Sequence, residues 1–282
     1  MRPAQPQVST PLRGDGGLEA DITRALAATA NTRGVFGATW EYFDEIGSTN
    51  DAALRAAERG VAEGHVFIAG AQTAGRGRLG RTWHSPPEAG LYVSTIIRRS
   101  ALAPWITLAG GVAVAQGIRE STGLPVQLKW PNDVVAVTGT AFQSRRKLAG
   151  ILAEASSGAD AIQYIVLGFG INLRQSALPP ELEGRAGSLE GELGRPVDGG
   201  VVLAAALAAL HRVTEQVTAS GPAALLAEWR RLSPSAEGGR VEWDASSGTR
   251  TGVTAGIDAD GALRVMTPEG LERIVSGEVR WK

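Results

Sequence analysis

Gln72-Thr73-Ala74-Gly75-Arg76-Gly77-Arg78-Leu79-Gly80-Arg81-Thr82-Trp83 decides between two folds. Gly75-x-Gly77-x-x-Gly80 has the glycine spacing of a dinucleotide-binding loop, which opens a helix inside a doubly wound parallel sheet. Pro86-Pro87 follows within a few residues and argues against any such helix. A Gly-Lys phosphate loop is excluded too, because the three lysines follow Leu128, Arg146 and Trp281. What remains is a glycine-arginine loop between two strands, Val66–Ala71 and Leu91–Ile97. No acidic residue lies between Ala69 and Pro87, so Arg76, Arg78 and Arg81 have no local counter-charge, while the glycines let backbone N–H groups approach an anion. Taken alone, the loop is equally readable as a solvated surface turn; an RNA contact would want interleaved aromatic residues, which are missing.

On either side of the loop the elements are clustered rather than interleaved. Residues 1–17 are Pro-, Gly- and Gln-rich without periodicity and read as a flexible leader. Leu18–Ala30 has helical spacing, Trp40 and Tyr42 alternate as a strand, and Ser48-Thr49-Asn50 offers a capping hydroxyl to a short alanine-rich helix ending at Gly60. A helix over Ile106–Glu120 precedes strands at Val126–Lys129, Asp133–Val137, Lys147–Glu154 and Ile162–Leu167; helices follow at Val201–Thr218 and Ala223–Arg231. Beyond Ser233-Pro234-Ser235 come short strands around 241–243, 251–257, 263–266 and 274–281, with Asp260-Gly261 as a hairpin turn. The order predicts an α+β fold: a leader (1–17), a larger domain (18–232) and a small β-barrel (236–282).

Composition narrows the chemistry. The chain has 282 residues, 43% hydrophobic and 20% charged, with net charge −1, which excludes disorder and a generally basic nucleic-acid binder. The absence of cysteine removes disulfides, thiolate nucleophiles and cysteine zinc sites, and His65, His84 and His211 are too scattered to bind a metal, so no metal site is expected. No signal-like segment follows Met1, and the longest apolar run, Val201–Leu210, is half a membrane span; cytoplasmic residence without membrane contact is the default expectation. Of 28 basic residues only Lys129, Lys147 and Lys282 are lysine.

Two of those lysines fall in further candidate segments. Lys129-Trp130-Pro131-Asn132-Asp133 is a strand end, where Trp130 by default packs and Asn132-Asp133 turns. Arg146-Lys147-Leu148-Ala149-Gly150-Ile151-Leu152-Ala153-Glu154 is a strand with a lysine at its entrance. Gly168-Phe169-Gly170-Ile171-Asn172-Leu173 reads as a glycine-rich strand exit, by default a tight turn. Each is weak alone; together they lie at strand ends and helix starts, where sheet-based sites are assembled.

In this order, Ser-Thr-Asn, Gly-Arg-Gly-Arg-x-Gly-Arg-x-Trp, Lys-Trp-Pro-Asn-Asp, Arg-Lys-Leu-Ala-Gly-Ile-Leu and Gly-x-Gly-Ile-Asn resemble the bacterial biotin protein ligases, over about Trp40–Lys282. The resemblance implies a mixed sheet with helices on one face, related to lipoate ligases, followed by an SH3-like barrel. It implies activation of biotin with MgATP (ATP and Mg2+) to biotinyl-5'-AMP and transfer to a lysine of a biotin carboxyl carrier domain of acyl-CoA carboxylases or related enzymes. By resemblance, Ser48, Thr49, Asn50, Gln72, Arg76, Gly77, Arg78 and Lys147 face biotin, the ureido ring being met by Ser48, Thr49, Gln72 and the Arg76 backbone. Gly75, Arg76, Arg78, Arg81, Asn132, Lys147 and Asn172 face the nucleotide. Lys147, Arg78 and Asp133 carry the chemistry, Asp133 at the transfer step. Leu79 departs from the pattern, standing where some members have a basic residue. The chain's first strand is preceded by about 37 residues, too few for a three-helix DNA reader, so neither a repressor role nor a nucleic-acid partner is expected. A lipoate or octanoyl transferase of the same fold and a nucleic-acid module built on the arginine run are the competing readings.

Overall fold

The computed structural model describes residues 17–137, 145–157, 161–174, 179–182, 184–245 and 248–282. The expected leader lies outside these, apart from Gly17, which opens helix α1 (Gly17–Ala28). Seven strands form a sheet in the order β1 (Trp40–Phe43), β2 (Val66–Ala69), β3 (Gly90–Ile97), β7 (Ile162–Asn172), β6 (Arg145–Ser157), β5 (Asp133–Val137), β4 (Gln127–Lys129). β1 and β2 are parallel and every other neighbouring pair is antiparallel, so only β1 and β2 need a crossover; helix α2 (Thr49–Glu58) supplies it.

Alternation along the strands builds two cores. Val66, Ile68, Leu91, Val93, Leu167 and Ile171 face a layer made by α1, α3 (Ile106–Thr122), α5 (Gly199–Ser220) and α6 (Ala223–Leu232). Phe67, Ile96, Tyr164 and Val166 face the other way and meet Ala52, Ala53, Ala56 and Ala57 of α2. The helices therefore do not all share one face. The crossover passes over the side that the large layer leaves open, and small alanines let α2 lie close to the strands. A short helix, α4 (Leu189–Leu193), has too few residues for periodicity to reveal it in the sequence.

The second sheet holds β8 (Glu237–Ala245), β9 (Gly248–Ile257), β10 (Leu263–Thr267), β11 (Gly270–Ile274) and β12 (Val279–Trp281), antiparallel in the order β11-β10-β9-β8-β12. Among the described residues its outer strands do not pair with each other, so the expected small SH3-like domain is present as an antiparallel sheet that does not close into a barrel. The one strand expected over 274–281 is the end of β11 plus β12, interrupted where Gly277 takes φ +112°. Asp260-Gly261 does form the β9–β10 turn, Asp258 N–H donating to Ala262 O at 2.9 Å. Trp105, at the N-cap of α3, and Trp130, just after β4, grip that turn, their indole N–H groups donating to the Ala259 and Gly261 carbonyls at 2.9 and 3.0 Å. Among the described residues no helix is long and apolar enough to cross a membrane.

Candidate active site

The site occupies the face of the large sheet that carries α2. There the register sets Gly150 opposite Gly170 and Leu152 opposite Gly168, beside Tyr92 and Ser94 of β3. The segment 168–173, expected as a strand exit and by default a tight turn, stays in β7 through Asn172. Its glycines answer to distant neighbours: a Cβ on Gly168 would stand 2.1 Å from Asn50 Oδ1, and one on Gly170 2.4 Å from Trp83 Nε1. The result is a trough whose floor is backbone. Gly168→Ala should lower the denaturant midpoint by the equivalent of about 1–3 kcal/mol, the usual penalty for overpacking. A midpoint equal to the parent's would mean that Asn50 has room to yield.

The start of α2 forms one wall. Ser48 occupies the N-cap position, but its side chain makes no capping hydrogen bond. The cap comes instead from Gln72, whose Oε1 accepts from Thr49 N–H at 2.9 Å and from Thr49 O–H at 3.1 Å. This leaves Ser48 lining the trough. Gln72 also reaches the far stem of the arginine loop, donating from Nε2 to Ser85 Oγ at 3.0 Å. Ser94 Oγ, with one proton to give, lies 2.5 Å from Asn50 Oδ1 and 2.8 Å from Thr49 Oγ1.

The arginine loop folds back on itself as a lid. Trp83 N–H donates to Gly75 O at 2.9 Å and Gly77 N–H to Arg81 O at 2.7 Å; at the tip Leu79 is left-handed (φ 58°) and exposed. The arginines find partners that their neighbourhood in sequence does not provide. Arg76 binds Asp51 and Glu154, and Arg81 binds Glu278 of the second sheet. Both guanidinium pKa values are raised, chiefly by hydrogen bonds to Asp51 and to Glu278 respectively, and Arg81 holds the Glu278 carboxyl below its usual range. Arg78 is different: it makes no ion pair among the described residues, and burial lowers its pKa against the pull of Asp133. Its Nη1 lies 3.4 Å from Asn132 Oδ1. With two of its three charges matched, the loop does not present the basic stripe that a nucleic-acid surface needs.

Under the lid the space narrows to a slot of about 50 Å3. Pockets for drug-sized ligands run to about 300–1,000 Å3, so such a ligand enters only if the lid lifts. Trp83 is the part that fills the trough: its ring lies on Gly150 and Gly170, and its Nε1 is buried without a hydrogen-bond partner among the described residues. At the end of the slot Lys147 Nζ sits 5.0 Å from the Trp83 ring centroid and 2.6 Å from Asp133 Oδ1. Beyond it opens a cleft of about 720 Å3 whose walls include Lys129, Arg145, Arg185 and Arg280. Lys129 lies 5.3 Å over the Trp281 ring, and burial lowers its pKa.

The predicted residues thus converge. Ser48, Thr49, Asn50, Gln72, Arg76, Gly77, Arg78 and Asn132 surround the slot, Arg81, Asp133 and Asn172 the cleft, and Lys147 belongs to both. Gly75 lines neither; a Cβ there would meet Trp83 O at 2.4 Å, so its task is to let the stems close. The side-chain amide nitrogens of Asn132 and Asn172 are committed to main-chain carbonyls, of Ile151 for the first and of Gly187 and Lys147 for the second. Sequence reasoning missed Ser94, Glu154 and Glu278 and gave Trp83 no part. Ser94-Thr95 inside an otherwise apolar buried strand was the available signal for the first; the acids gave none.

Residues 42–172 match the model of the biotin/lipoate A/B protein ligase family, and residues 245–280 match the biotin protein ligase C-terminal domain. The bifunctional ligase/repressor BirA of Bacillus subtilis is 32% identical over 243 residues, covering 84% of this chain and 72% of that protein. The chain belongs to the biotin protein ligase family. The biotin--[acetyl-CoA-carboxylase] ligase of Paracoccus denitrificans, also 32% identical, aligns over 82% of this chain and 96% of its own length. Among solved structures, biotin protein ligase from Aquifex aeolicus in complex with biotin and ATP superposes with a TM-score of 0.74 at 29% identity, over 87% of this chain and 99% of that one. Like its relatives in the biotin protein ligase family, the chain is a ligase.

Proposed function

We propose that this ligase joins biotin to ATP as biotinyl-5'-AMP and then acylates one lysine of a biotin carboxyl carrier domain, as in the acyl-CoA carboxylases. The observation that carries this reading is the position of Lys147 at the junction of a polar-walled slot and a broad cationic cleft. With the lid lifted and Trp83 withdrawn, the first takes biotin by its ureido ring and apolar body, with Ser48, Thr49, Gln72 and the Arg76 backbone as polar contacts and Asn50 and Gly77 alongside. A nucleoside triphosphate fits the second, near Asn132 and Asn172. The biotin carboxylate oxygen attacks the α-phosphorus, the bond to the β-phosphate breaks, and pyrophosphate leaves.

The electrostatic problem is that the two reactants are both anions. At about 4 Å and an effective dielectric near 20, their repulsion is roughly 4 kcal/mol, worth about a thousandfold in rate. An ammonium between them removes most of that, and a single mobile charge can follow oxygens from carboxylate to mixed anhydride. Lys147 leaves Asp133 to do so. Arg78 holds phosphate oxygens in a fixed fork, and Arg81 joins it only on releasing Glu278. No trio of His, Asp and Glu able to hold a metal ion exists among the described residues, so Mg2+ is assigned to the nucleotide as part of that substrate. In the second step the carrier lysine, neutral, attacks the acyl carbon and AMP leaves; Asp133, released from Lys147, orients the amine or takes its proton.

Labelled biotin incubated with a purified carrier domain tests this directly. Transfer is expected with ATP and not without it. ATP-independent labelling, or ATP-dependent labelling by lipoate in place of biotin, would overturn the assignment.

A further inference from the structure

Glu154 stands outside the slot and has no part in the reaction as described, yet it joins two parts of the site. On β6 its face is that of Gly150 and Leu152, and its cross-strand neighbour is the buried Val166. A charge there needs a reason. One carboxylate oxygen accepts from the Asn50 amide at 2.8 Å, and the other pairs with Arg76 at the base of the lid. The opposite end of the Asn50 amide is fixed by Ser94 and by the space above Gly168. Asn50 is thus a fixed post at the trough floor, and Glu154 is the only described group that bonds both to that post and to the lid. Arg76 has a second anchor, Asp51, but that carboxylate sits further out, its side chain 38% exposed against 22% for Glu154. Both carboxylates hold Arg76, and Asp51 contributes the larger part of its raised pKa, but of the two only Glu154 also bonds Asn50 and so carries the connection through to the trough floor.

We infer that Glu154 is a positioning residue: by tying Arg76 to Asn50 it holds the lid down on the trough and sets how long the acyl-adenylate is kept before an amine arrives. The inference rests on the adenylate chemistry proposed above. Glu154 touches neither substrate and acts only through Arg76.

Glu154→Gln keeps an acceptor for Asn50 and nearly the same volume while removing the charge that holds Arg76. With the full-length protein, the KM for biotin and the single-turnover rate of pyrophosphate release are expected to stay within about twofold of the parent, while preformed biotinyl-5'-AMP dissociates about tenfold faster in rapid gel filtration. Arg76→Ala, which frees Asp51 as well, should speed dissociation at least as much, and adding Glu154→Gln to it should change nothing further, since the Glu154–Arg76 connection is then already broken. Glu154→Asp, which keeps the charge but loses reach, should accelerate dissociation about threefold, and it serves if the glutamine variant does not fold. Parent-like retention in the folded variants, or effects of Arg76→Ala and Glu154→Gln that multiply, would overturn the inference. A parent protein that forms no adenylate at all would instead overturn the proposed function, and that control is read before any variant.

Discussion

Lys147→Ala is expected to leave a folded protein that releases pyrophosphate from ATP and biotin about a thousandfold more slowly than the parent, the rate equivalent of two anions meeting without a cation between them. The fold survives because the Lys147 side chain is 32% exposed and contributes nothing to either core. Its removal has a second effect. Asp133, at 19% exposure, loses its ion-pair partner and keeps only the longer-range pull of Arg78, Arg81 and Lys129, a negative charge where the proposed reaction brings in phosphate. Lys147→Ala with Asp133→Asn should therefore recover about tenfold of the adenylation rate, the size of one relieved repulsion in a partly solvated site, while still failing in transfer. Lys147→Arg keeps the charge but not its mobility, and should fall between alanine and lysine. Pyrophosphate release undiminished in Lys147→Ala would remove this residue from the mechanism.

Arg78→Gly should form the adenylate and lose it. Arg76 and Arg81 are matched by Asp51, Glu154 and Glu278, whereas Arg78, partly desolvated, pairs with no carboxylate among the described residues; in the function proposed above, the adenylate phosphate is the group that completes it. A hydrogen bond to a charged group contributes about 1.5–3 kcal/mol, so its loss should speed escape of biotinyl-5'-AMP by roughly 10- to 150-fold. Free intermediate in the medium and labelling of unrelated amines are the readouts. An Arg78→Gly protein that held the intermediate as tightly as the parent would refute the assignment of a phosphate-binding lid.

The fold class was legible because period-two alternation and grouped helices are local signals, and β3, buried at every position, announces itself as an apolar run. That the candidate segments gather at one place was legible through ordered motifs, but their internal wiring was not. Arg76 finds its partners 25 and 78 residues away, and Arg81 finds Glu278 197 residues away, so a search for nearby acids correctly returns none. The same distance hides the cap of α2, where Gln72 replaces Ser48 across 23 residues. Gly168 and Gly170 look like a turn because glycine in a strand is locally unfavourable; what compensates is space for Asn50 and Trp83, contributed by other parts of the chain. The placement of α2 away from the other helices follows from the parallel β1–β2 pair, a pairing that strand patterns alone do not specify.

A floor made of glycine backbone has an asymmetric evolutionary consequence. Every substitution at Gly150, Gly168 or Gly170 adds atoms, and none can subtract any, so along this wall mutation works as a ratchet that only shrinks the vestibule. Broadening the repertoire toward bulkier carboxylic acids has to proceed through the roof, where the Trp83 indole offers most of the volume that a smaller residue could give back.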